Sequence, residues 1–223
     1  MPRVVHGFVG ARVERVETRG KNLLLRFSDH STIRVHLKMT GRWRLFRAAY
    51  PHEDLGIALT TDAGSAVCYR APDIERIDDR GLAAHPVLAS LGPDVLSEAF
   101  DPEEAVRRTS PERAVGELLL DQRVACGIGN VYRAEVLFYE RADPFRALAD
   151  TPEPARLWAT AARMMRQNLS PGPRNTTGLP HLDHWVYGRQ RRPCMRCRTP
   201  IRVQRFGQPP RDVYWCPRCQ APR

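Results

Sequence analysis

The chain has 223 residues, 42% of them hydrophobic and 27% charged, with a formal net charge of +10 and 6 cysteines. This composition excludes a disordered or collagen-like chain, and with neither a signal-type apolar segment nor an apolar run of membrane-spanning length it predicts a soluble, cytoplasmic protein. The positive charge is concentrated at one end: residues 189–223 hold ten arginines and one acid, Asp212, so the other 188 residues are close to neutral.

From Ala11 to about Arg70 the pattern is that of short strands, Arg12-Val-Glu-Arg-Val16, Leu23-Leu-Leu-Arg-Phe27, Thr32-Ile-Arg-Val-His36, Trp43-Arg-Leu-Phe46, Ile57-Ala-Leu-Thr60 and Ala66-Val-Cys-Tyr69. Turn residues such as Ser28-Asp-His30 and Asp62-Ala-Gly64 separate them, which predicts an antiparallel sandwich or barrel. Only Lys21 and Lys38 are lysine among 35 basic residues, so each marks a place where a primary amine can matter, since arginine does not give up its proton. The stretch from Ala71 to Asp94, ending Leu91-Gly-Pro-Asp94, reads as a linker. Cys68 and Cys126 stand singly in apolar surroundings and are expected to be buried thiols.

From Asp101 the period becomes helical. Asp101-Pro-Glu-Glu104 supplies an N-cap, a proline at the first position and acids in the first turn. Ser110-Pro-Glu-Arg113 is expected to open a second helix running through Leu118 to Leu120. Thr151-Pro-Glu-Pro154 opens another that runs to about Leu169 and is stopped by Ser170-Pro-Gly-Pro173. Between them Ile128, Val131, Ala134 and Leu137 form one apolar stripe, so a helix begins near Gly129. Glycines 127 and 129 beside that start allow close backbone approach, free N–H groups at a helix N-terminus favour an anion, and Asn130 adds a neutral amide donor.

The chain ends in Cys194-Met-Arg-Cys197 and Cys216-Pro-Arg-Cys219, two C-x-x-C knuckles separated by eighteen residues. Four thiolates at this spacing suit a structural zinc ion in tetrahedral geometry, two disulfides being the competing arrangement. Ile201-Arg-Val203 and Val213-Tyr-Trp215 read as the strands of a hairpin between the knuckles, and the arginines packed onto it form a phosphate-binding surface.

Arg19-Gly-Lys21, His36-Leu-Lys-Met39-Thr-Gly41, Leu91-Gly-Pro-Asp94, Asp121-Gln-Arg123, Gly127-Ile-Gly-Asn130, Val186-Tyr-Gly-Arg189 and Arg211 five residues before Cys216 occur in one order along the chain. Together they resemble the formamidopyrimidine-DNA glycosylase and endonuclease VIII family of base-excision repair. The resemblance implies an α+β chain of three parts: a β-sandwich over residues 1–80, a helical domain with a helix-two-turn-helix over 81–188, and a zinc ribbon over 189–223. It implies a monomer that grips duplex DNA containing a damaged base or an abasic site while one nucleotide is flipped out. His36, Asn130 and Tyr187 would then hold backbone phosphates and Met39 would fill the space left by the flipped base. Lys21 would assist β-elimination, and Arg211 would bind phosphate and take part in the later elimination.

The family's nucleophile is an N-terminal proline followed by glutamate at the start of a helix, whereas this chain begins Met1-Pro2-Arg3 and reaches Lys21 well short of the family spacing. The expectation is that the chain as written lacks the N-terminal catalytic segment, either because its start lies upstream or because it binds damaged DNA without excising a base. A zinc-ribbon RNA-binding protein is a third reading, against which the Gly127 to Asn130 turn argues. Tyr69-Arg-Ala-Pro-Asp-Ile-Glu-Arg76 stands where the formamidopyrimidine type carries an Arg-Arg-Phe-Gly wedge, which points to the endonuclease VIII side and to oxidised pyrimidines.

Overall fold

The chain forms seven strands before residue 80, six of them marked by alternation of apolar and polar residues, in the computed structural model, which describes residues 10–170 and 172–221. They are β1 (Val13–Arg19), β2 (Asn22–Phe27), β3 (Ser31–His36), β4 (Arg42–Phe46), β5 (Leu55–Thr61), β6 (Gly64–Tyr69) and β7 (Asp73–Asp78). One antiparallel sheet has the order β1-β2-β3-β7 and the other β4-β6-β5. Leu25, Phe27, Ile33 and Val35 on the first sheet share a core with Ile57 and Cys68 on the second, so the strands form a sandwich and not a closed barrel.

Strand β7 corrects the expectation of a linker from Ala71 onward. Its sequence, Asp-Ile-Glu-Arg-Ile-Asp, lacks the alternation that marks a strand, because its acids serve a buried cation. Arg34, on the face of β3 opposite Ile33 and Val35, is only 4% exposed. Its guanidinium donates to Asp73 at 2.5 Å and to Glu75 on β7, and to Asn22 on β2 at 2.6 Å. Glu75 also bonds His85 at 2.8 Å. A buried guanidinium needs such partners to offset lost hydration, and a polar edge strand, β7, is the result. Two short helices follow, α1 (Asp79–Ala83) and α2 (Pro86–Ala89), and the first compact unit ends there.

The second unit starts at Ser90 and contains α3 (Pro102–Arg107), α4 (Val115–Leu118), α5 (Asn130–Tyr139), α6 (Ala155–Arg166) and the hairpin β8 (Arg202–Phe206) and β9 (Arg211–Trp215). Asp101 caps α3 as its sequence predicts, accepting the Glu103 N–H at 2.9 Å. Helix α4 is shorter than expected and does not start at Ser110. Residues 111–116 instead lie along 144–149, with Val115 N–H on Arg146 O at 2.9 Å and Gly116 N–H on Pro144 O at 3.0 Å. A Cβ on Gly116 would meet Pro144 O at 2.5 Å, so this crossing requires glycine. Leu118, Leu119, Ile128, Leu137, Trp158 and Ala161 are fully buried in the helical core. Among the described residues no helix is long and apolar enough to cross a membrane.

Candidate nucleic-acid interface and metal centre

Three of the expected residues lie in the first unit. Lys21 is exposed in the tight turn between β1 and β2, with Gly20 at φ 59° beside it. Across the sheet from its neighbour Asn22 stands His36, half-buried at the end of β3, so Lys21 and His36 share one end of the sheet. Burial, and next the charge of Lys38, lower the His36 pKa, which keeps the ring neutral at pH 7. Its Nδ1 accepts the Lys38 N–H at 3.0 Å, so the proton of the neutral ring belongs on Nε2, a donor suited to a phosphate oxygen. Met39 is 85% exposed at the turn after β3, which disposes of a core role. That turn is closed by Gly41 N–H on Leu37 O at 2.8 Å and Thr40 Oγ1 on Arg70 O at 2.9 Å. Pro2 and Arg3 lie outside the described residues.

In the second unit the glycine turn is held by Gln122. Its Nε2 donates to Leu120 O at 2.8 Å and Ile128 O at 3.0 Å, while its Oε1 accepts the Gly127 N–H at 3.0 Å. Gly127 sits at φ 110°, a conformation that strains any other residue. Asp121 next to it accepts from Arg113 Nη1 at 2.9 Å and from Arg123 Nε and Nη2 at 3.0 Å each. Hydrogen bonds from Arg123 first, and from Arg113, hold the Asp121 carboxyl well below the usual range. Helix α5 starts directly after this turn, with Gly129 as N-cap. Arg133 N–H is the first to find an intrahelical acceptor, Gly129 O at 2.9 Å, so the N–H groups of Asn130, Val131 and Tyr132 have none within the helix.

Asn130, Tyr187 and Arg211 converge here from three separate stretches. Asn130 Nδ2 donates to Asp212 O at 3.0 Å, which ties the helix start to the residue after Arg211; the amide's second hydrogen is left for another acceptor. Arg211 is exposed at the head of β9. The Tyr187 ring lies 5.1 Å from that of Tyr214 on β9. Glu135, fully buried on α5, fixes the Tyr187 loop by accepting the N–H groups of Trp185 at 2.7 Å and of Val186 and Tyr187 at 2.9 Å each. The hydroxyl of Thr176 adds a fourth bond at 2.6 Å. Among the described residues no cation pairs with this buried carboxylate, and four donors satisfy it.

The four C-terminal cysteines are unbonded to each other, and their sulfurs all lie within 4.8 Å of one another. Cys197 and Cys216 are 3.4 Å apart and Cys194 and Cys219 3.9 Å. A tetrahedron with zinc–sulfur bonds of about 2.3 Å has edges of about 3.8 Å, so the cluster has the size a metal ion needs. Within the knuckles, the N–H of Arg196 points at Cys194 Sγ at 3.4 Å and that of Cys219 at Cys216 Sγ at 3.5 Å, as suits sulfur carrying negative charge. The ribbon rests on α5, where the Arg196 guanidinium stacks 4.2 Å from the Phe138 ring centroid.

The sequence did not single out Gln122, Arg133 or Glu135. Gln122 lies within the Asp121-Gln-Arg123 motif, and a polar residue inside the helix marked by the Ile128 to Leu137 stripe is the one signal that could have found Arg133 and Glu135.

Residues 2–74 match the family model for the formamidopyrimidine-DNA glycosylase N-terminal domain, and residues 91–177 that for the formamidopyrimidine-DNA glycosylase H2TH domain. A probable endonuclease 8 2 of Streptomyces coelicolor is 40% identical over 223 residues, covering 95% of this chain and 80% of that protein. A DNA-(apurinic or apyrimidinic site) lyase, Nei2, of Mycolicibacterium smegmatis is 37% identical, covering 95% of this chain and 83% of its own length. Among solved structures, the MutM (Fpg) protein from Thermus thermophilus superposes with a TM-score of 0.79 at 30% identity, covering 95% of this chain and 84% of that one.

Proposed function

Because the chain belongs to the formamidopyrimidine-DNA glycosylase and endonuclease VIII family, we propose that it serves base-excision repair as a DNA glycosylase and abasic-site lyase of the endonuclease VIII type, acting on oxidised bases in duplex DNA. The observation that carries this reading is the convergence of Asn130, Tyr187 and Arg211 at the start of α5, in a unit whose C-terminal segment, residues 189–223, supplies most of the net charge. Neutral donors and a cation at a helix N-terminus grip a phosphate. In the first unit, His36 Nε2–H contacts a second phosphate and exposed Met39 enters the base stack where the damaged nucleotide has left it.

Cys194, Cys197, Cys216 and Cys219 hold a structural zinc ion, which supplies no chemistry to the reaction and fixes the ribbon that presents Arg211. Excision by this family's chemistry needs an amine that attacks the sugar carbon, displaces the base and forms an imine. The proton removed from the neighbouring carbon then lets the 3′ phosphate leave. In this family that amine belongs to an N-terminal proline, and Lys21 is the side-chain amine that serves the elimination. A second reading, in which the protein binds damaged DNA without excising a base, uses the same phosphate contacts and needs no nucleophile.

Binding and trapping separate these readings. The 223-residue protein is expected to bind a duplex with an abasic-site analogue more tightly than an undamaged one, with affinity falling steeply as salt rises. Equal affinity for both duplexes, or indifference to salt, would refute the assignment to damaged DNA. Borohydride in the presence of a true abasic site then yields a covalent protein–DNA adduct for the catalytic reading and none for the binding-only one.

A further inference from the structure

The buried guanidinium of Arg133 has no part in the contacts to DNA proposed above, and its placement explains how one of them is aimed. Arg133 is 1% exposed, inside α5, and among the described residues no carboxylate pairs with it. Its acceptors are three neutral oxygens: Gly116 O at 3.3 Å, Asp212 O at 2.8 Å and the side-chain Oδ1 of Asn130. Asp212 O is the same carbonyl that accepts Asn130 Nδ2 at 3.0 Å. The three groups therefore close a triangle across α5 and β9.

A primary amide has two orientations, and usually little separates them. Here both neighbours are one-sided, since a guanidinium only donates and a carbonyl only accepts. Oδ1 must face Arg133 and Nδ2 must face Asp212, or two bonds are lost and like ends meet. The outward hydrogen of Asn130 is then always N–H. We infer that Arg133 is a positioning residue that locks the Asn130 amide with its donor outward and, through Asp212 O, sets the start of β9 where Arg211 emerges. It touches no DNA, and it acts through the two residues that do. Burial first and the charge of Arg211 next push its pKa down to about 10, so the cation, and with it the lock, persists at neutral pH.

The inference rests on the DNA-binding reading, and its test has a readout with and without DNA. Arg133→Met is expected to keep its metal and to lose affinity for the abasic-site duplex by roughly ten- to hundredfold, the range for loss of charge-assisted hydrogen bonds. In a double-mutant cycle with Asn130→Ala the losses should not add, the double variant binding about as well as the worse single one. Arg133→Lys, which keeps a buried donor, should recover part of the loss and retains the coupling to Asn130; if Arg133→Met fails to fold, this variant carries the cycle. Fully additive losses, or binding by Arg133→Met within twofold of the parent, would overturn the lock. In the DNA-free protein, the Asn130 side-chain amide protons should resonate away from free-amide positions and exchange slowly with solvent, and in the Met variant they should move toward free-amide positions and exchange faster. If the parent fails to bind damaged DNA, the functional reading falls alone, and unchanged Asn130 resonances in the variant would remove the lock itself.

Discussion

Met39 shows how a single side chain divides structure from function. A methionine 85% exposed on a turn contributes little to folding, and Met39→Ala should change stability by no more than about 0.5 kcal/mol. If it fills the stack vacated by a flipped base, the same change should reduce the preference for abasic over undamaged duplex. Parallel thermal melts and binding titrations check this, and a destabilised protein with unchanged preference would return Met39 to a packing role. His36 carries the complementary lesson. The sequence places it at the end of a strand, but only the Lys38 N–H on Nδ1 decides which nitrogen bears the proton.

At the level of elements, the Asp121 turn is tied to two arginines, Arg113 and Arg123. Because the folded pKa of Asp121 lies below its unfolded value near 3.9, its contribution is complete above about pH 4 and disappears as pH falls through the folded value. Asp121→Asn should therefore cost about 1–3 kcal/mol at neutral pH and flatten the loss of stability in acid, as denaturant titrations at several pH values would reveal. An Asn variant with the parent's acid profile would show that Arg113 and Arg123 do nothing for the turn. Six of the seven strands before residue 80 and the starts of α3 and α5 were legible, because alternation, an N-cap and a glycine turn are local signals. Strand β7 was not, since its acids answer Arg34, a residue 39 positions away from Asp73 that no local pattern connects to it. Helix α4 failed for a related reason: residues 111–116 trade helical hydrogen bonds for those of 144–149. Of the site, the four cysteines could be picked out from spacing alone, and Asn130 from the glycine turn taken together with the family resemblance. The clasp of Gln122 could not, because it depends on how the turn folds back on one side chain, nor could the triangle around Arg133, which depends on carbonyls arriving from Gly116 and Asp212.

For the molecule as a whole, two units with separate cores imply separable responses to metal loss. Cys216 is buried, and its N–H is held by Gln220 at 2.9 Å. Gln220 in turn reaches Ala142 O at 3.0 Å. Cys216→Ser should release stoichiometric zinc and loosen the hairpin with its Arg211, while strands β1 to β7 keep their hydrogen-exchange protection. Metal analysis joined to exchange measurements reads both effects, and loss of protection throughout the sandwich would contradict the separation. The short stretch at the head of the second unit bears on how the protein can be cut. Gly92 N–H bonds Gln122 O at 2.9 Å, Cys126 N–H bonds Pro93 O at 2.9 Å and Val95 N–H bonds Cys126 O at 3.1 Å. A Cβ on Gly92 would meet Arg123 O at 2.5 Å. Residues 91–95 are thus one rail of the turn that launches α5, so a dissection made at Leu96 discards half of that turn, whereas one made at Ser90 carries it whole. No flexible spacer can be substituted for them.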